Sequence, residues 1–84
     1  MARLIAVLGK VNGQSEPAVV EWVNPDHVSA VRREVVGTEP RVELYVSLKV
    51  SGMPLTRSWF GAFSTAAEAE SRWEAFLAEI APAD

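Results

Sequence analysis

The chain has no cysteine, so neither a disulfide nor a thiolate metal site can brace it. Long apolar runs are missing as well. The longest, Leu4 to Leu8, is too short to span a bilayer or to serve as a secretory core, which predicts a soluble, cytoplasmic protein without a membrane partner. A basic excess is also lacking: the formal net charge is -3, and residues 64–84 hold one Lys/Arg against five Asp/Glu. Affinity for a phosphate backbone comes mainly from clustered Lys and Arg that release counterions, so nucleic acid is not an expected partner. Gly9 and Gly13 lack the strand-to-helix setting and the Lys-Ser/Thr pair of a phosphate-binding loop, which argues against nucleotide hydrolysis. There is one histidine, His27, after Asn24-Pro25-Asp26. A general base needs a positioned nucleophile and a metal needs several convergent ligands, so a capping or solvent-exposed role is expected for it. No catalytic residue, metal or cofactor is predicted.

What remains is a chain built to pack. At 49% hydrophobic residues it is too apolar for disorder. Its 84 residues make one domain, and a domain of that size buries only about 60 to 65% of its unfolded surface. With no staple to compensate, a homo-oligomer is expected.

The hydrophobic period changes between Ser64 and Thr65, and this boundary separates sheet from helix. Val42, Leu44, Val46, Leu48 and Val50 alternate with Glu43, Tyr45, Ser47 and Lys49, the pattern of a half-buried strand. From Thr65 on, Ala66, Ala69, Trp73, Phe76, Leu77 and Ile80 recur at three- and four-residue steps, lining one face of a helix. Thr65-Ala66-Ala67-Glu68 matches a capping box, Glu68 and Arg72 have the spacing of a helical ion pair, and Ala81-Pro82 should stop the helix.

Upstream, Arg3 to Val11 reads as a strand, Asn12-Gly13 as a hairpin turn, and Pro17 to Val23 as a second strand that begins where a missing N–H costs no ladder bond. Residues 25–36 are open to two readings: a turn followed by a strand, favoured by the β-branched Val28, Val31, Val35 and Val36, or a short helix ending at Gly37. The fold class predicted is therefore α+β: one small antiparallel sheet of four to five strands with a C-terminal amphipathic helix on one face.

If Ser51-Gly52-Met53-Pro54 reverses the chain so that Val50 meets Leu55, Val46 faces Trp59, Leu44 faces Gly61 and Val42 faces Phe63. That register buries Trp59, and Trp22, Trp59 and Trp73 are all expected in the core, with Trp73 packed near Trp59. It also sets Arg57 on the buried face opposite Leu48. On the other face it pairs Tyr45 with Phe60, with Lys49, Thr56, Ser58 and Ala62 around them. Two readings of that face follow. It is an interface with another subunit or a host protein, carried by Tyr45, Phe60, Lys49 and Ser58, because aromatics are enriched in interface cores. Alternatively, Arg32, Arg33 and Arg57 hold an anionic small molecule such as a signalling nucleotide, the chemistry guanidinium forks suit.

The order of a strand, an Asn-Gly turn, a strand ending in Val23-Asn24-Pro25-Asp26-His27-Val28, an alternating hairpin and a closing helix resembles the small flagellar-operon FlbD family over roughly residues 3–80. Ser58-Trp59-Phe60-Gly61-Ala62-Phe63 departs from that family. This segment and the Arg/Ala/Val-rich composition are similar to small proteins of GC-rich actinobacteria and their phages. That second resemblance implies an accessory protein that binds host proteins or sequesters signalling nucleotides.

Overall fold

The computed structural model describes residues 4–80. Within them the order is β1 (Ile5–Gly9), β2 (Ala18–Val23), one turn of 3-10 helix (Pro25–His27), β3 (Val28–Thr38), β4 (Arg41–Val50), β5 (Thr56–Phe63) and α1 (Ala66–Ile80). Asn24 accepts the Asp26 amide at 2.9 Å, and Pro25 presets the backbone of that turn. The turn delivers the chain into β3, so the turn-then-strand reading of residues 25–36 holds.

The fold is α+β, but the single expected sheet is two. β1 and β2 form an antiparallel pair, and β3, β4 and β5 form a separate antiparallel sheet in that order. β1 lies beside β5, with Ile5 and Val7 in the same core cluster as Phe60, yet no ladder joins them. Both hairpins that meet at this seam are bulged. The β1–β2 register slips between Val7 and Leu8, leaving Val20 as the extra residue; the β4–β5 register slips between Leu44 and Tyr45. A bulge bends its strand and interrupts regular pairing, so the two sheets meet through side chains.

The β5 bulge also corrects the expected register. Val42 does face Phe63 and Leu44 faces Gly61, but beyond the slip Tyr45 faces Trp59, Val46 faces Ser58 and Ser47 faces Arg57. Phe60 is the inserted residue. Instead of standing on the outer face, its ring turns into the core, 1% exposed, and meets Phe76 edge-on with centroids 4.8 Å apart. Trp59 moves to the outer face, opposite Tyr45.

α1 covers the inner face, where Val42, Leu44, Val46, Leu48 and Phe60 pack with Ala69, Trp73 and Phe76. Each fully buried side chain of this kind contributes about 1.5 to 3 kcal/mol. The helix starts as expected: Thr65 Oγ1 accepts the Glu68 amide and Glu68 Oε1 accepts the Thr65 amide, both at 3.2 Å. Glu68 is thereby committed to the cap and makes no ion pair with Arg72 among the described residues. Arg72 instead lies 5.3 Å from the Phe60 ring centroid. The expected stop at Ala81-Pro82 and the start at Arg3 lie outside the described residues.

Of the three tryptophans, Trp73 is in the core as expected. Trp22 is not: it is 60% exposed, because it pairs with Ala6 on the side of the hairpin opposite the core-facing pair Ile5 and Val23. Trp59 is buried, but on the face away from Trp73. No helix among the described residues is long and apolar enough to cross a membrane.

Candidate functional site

Residues opposite each other on antiparallel strands share a face, so the register writes the outer surface of the larger sheet as rows. Ala30 stands beside Lys49; Arg32, Ser47 and Arg57 form the next row; then come Glu34, Tyr45 and Trp59; then Val36, Glu43 and Ala62. α1 lies on the other side, so these rows are not covered by the helix.

Tyr45 is the centre of this surface. The Arg57 guanidinium stacks over its ring, 3.8 Å from the centroid, and donates two N–H groups to Glu34 Oε1 at 2.9 and 3.1 Å. A planar cation held by an aromatic face and a carboxylate is an ordered contact element. Next to it, the Trp59 indole donates to Glu43 Oε1 at 3.0 Å, and the Lys10 ammonium sits 5.5 Å from the Trp59 ring centroid. A cleft of about 340 Å³ opens here, with Gly9, Lys10 and Val20 on one wall and Tyr45, Arg57 and Trp59 on the other. A second depression, of about 400 Å³, lies beside Ala30, Arg32, Ser47 and Leu55.

The bulge redistributes the residues expected to make an interface. Tyr45 and Lys49 are on the outer face, and the Lys49 ammonium donates to the Met53 carbonyl. Phe60 cannot contribute a contact surface because it is inside the protomer. Ser58 and Thr56 pair with Val46 and Leu48 and so belong to the helix side. Arg57 leaves the buried position it was given opposite Leu48, which removes the misfit of a guanidinium on an apolar face.

The three arginines of the anion reading do not converge. Arg32 and Arg57 flank Ser47 on the outer face, whereas Arg33 faces Val46 on the helix side and pairs with Glu70 at 3.2 Å. His27 is exposed at the end of the 3-10 turn. Among the described residues no group of three or more His, Asp or Glu is placed to hold a metal ion.

Trp59, Lys10, Glu34 and Glu43 were missed as members of this surface. One signal pointed to Trp59: Gly61, an isolated glycine within a strand pattern, is a sign of a bulge, and a bulge there exchanges the faces of Trp59 and Phe60.

No family model, no curated protein and no solved structure matches this chain. The functional reading therefore rests on the surface itself.

Proposed function

We propose that the chain is a non-catalytic interaction module that assembles into a homo-oligomer and offers the outer face of its larger sheet, around Tyr45 and Arg57, to a partner. The observation that carries the self-association in this reading is the number of large apolar side chains left in water: Leu4, Val19, Val20, Trp22, Val35, Val36, Met53 and Leu55 are all exposed. Scattered exposed apolar residues are ordinary, but Val19, Val20 and Trp22 lie within one short strand, and Val35 and Val36 stand on the two faces of an edge strand. In a cysteine-free domain of this size, covering them by association is a direct route to further stability.

The resemblance of the Trp59–Phe63 segment and of the composition to small actinobacterial and phage proteins supports extending the proposal to a cytoplasmic phage accessory protein whose partner is a host protein. Light scattering over a concentration series is expected to return a multiple of the 9.2 kDa chain mass. The mass of one chain at every concentration would remove self-association from the reading.

A second reading, sequestration of an anionic small molecule, is favoured by one feature. Arg32 and Ser47 line the larger depression, a guanidinium and a hydroxyl that suit a phosphate. Titration calorimetry against nucleoside mono-, di- and polyphosphates is expected to show heat that Arg32→Ala abolishes. If no phosphorylated ligand gives heat, this alternative is lost.

A further inference from the structure

One edge of the larger sheet belongs to β3, which ladders only with β4. The strand is eleven residues long and nine of them are exposed. Solitary edges are normally blunted by shortness, proline or a bulge, since unpaired N–H and C=O groups invite another strand. β2, the free edge of the smaller sheet, shows all three: it has six residues, follows Pro17, and is bulged at Val20. β3 contains no proline, and its one register shift falls between Val28 and Ala30, leaving an unbroken ladder with β4 from Ala30 to Thr38.

We propose that two copies of this chain join through β3, antiparallel about a two-fold axis at Arg33, and so continue the three-stranded sheet into one of six. The proposal rests on the self-association read above and names its surface. The sequence of β3 selects the register. Centred on Arg33, the pairing sets Arg32 against Glu34 of the second copy, Val31 against Val35 and Ala30 against Val36, each pair twice by symmetry. Centred on Arg32 or on Glu34, it sets that charge against itself and brings a valine opposite Arg33.

The groups are ready for this contact. Both N–H donors from Arg57 go to Glu34 Oε1, which leaves Oε2 for a second guanidinium, and Arg32 takes part in none of the ion pairs among the described residues. The single like-charge meeting, Arg33 with its own copy, is offset because each Arg33 is already paired with Glu70. Val35 and Val36, exposed in the lone protomer, are covered on the two faces. The two-fold is normal to the sheet, so both helices lie on one side and both Tyr45–Arg57 surfaces on the other, forming one continuous outer face.

The test is charge reversal with rescue. Arg32→Glu and Glu34→Arg, each alone, place like charges opposite each other twice per dimer. Each is expected to raise the dimer dissociation constant on the order of 100-fold, read by sedimentation or light scattering. Both substituted positions are exposed, and far-ultraviolet circular dichroism confirms that the fold persists. Mixing the two variants sets opposite charges against each other again at both meeting points, so a heterodimer should appear by native mass spectrometry; the double variant R32E/E34R should dimerise with itself. If the parent chain associates but the single reversals leave its mass unchanged, assembly uses another surface and this inference fails while the broader reading stands. A parent chain that never associates overturns both.

Discussion

Phe60→Ala is expected to lower the free energy of unfolding by about 3 to 5 kcal/mol, measured by urea denaturation. The ring is 1% exposed and Phe76 is fully buried, and their interplanar angle of 72° gives an edge-to-face contact. Truncation therefore loses both the transfer energy of the ring and the contacts lining the cavity it leaves. Net stabilities near 0.05 to 0.15 kcal/mol per residue put a chain of this length at about 4 to 13 kcal/mol in total, so the loss is a large fraction of the whole. A double-mutant cycle with Phe76→Ala is expected to show coupling of about 0.5 to 1.5 kcal/mol. Had the hairpin lacked its bulge, Phe60 would sit on the outer face and the same truncation would cost less than about 1 kcal/mol. A small loss would therefore speak for the unbulged register.

Gly61→Ala is also expected to destabilise the fold, by about 1 to 3 kcal/mol. Gly61 has φ of 123°, a conformation an L side chain rarely adopts. The new methyl would stand 3.4 Å from Pro17 Cγ and 3.6 Å from the Phe63 ring, ordinary contacts, so the cost comes from the backbone conformation. This glycine follows the inserted Phe60 directly, so its backbone freedom lets β5 regain its pairing with Leu44 after the bulge. The measurement is again the denaturation midpoint at unchanged slope. An alanine variant as stable as the parent would mean that β5 does not depend on this conformation.

Much of the scaffold was legible because it is written in short-range patterns. The alternation from Val42 to Val50, the capping box at Thr65 and the spacing of Ala69, Trp73 and Phe76 each follow from local geometry, and the structure keeps all of them. The β-branched run from Val28 to Val36 pointed correctly to a strand. What was not legible depends on neighbours. Counting residues back from a Val50–Leu55 pairing gives wrong partners on the turn side of the bulge, where the ladder is offset by one, and correct ones at Leu44 and Val42, where the inserted Phe60 has cancelled that offset. That single insertion exchanged Trp59 with Phe60 and moved Arg57, Ser58 and Thr56 across the sheet, so the surface around Tyr45 was anticipated in place but not in membership. Trp22 reads as a core residue because it falls in an apolar stripe and is large; only the pairing of β2 with β1 alone shows that one of its faces has no cover.

The seam between β1 and β5 carries a consequence for how this chain tolerates change. Side-chain packing there has no directional register to defend, so a residue gained or lost in the Asn12–Glu16 turn alters the length of a surface loop without forcing a slip in β3, β4 or β5. Length variants should accumulate in that turn, whereas a residue gained or lost within β5 beside Phe60 and Gly61 would turn its aromatic rings inside out.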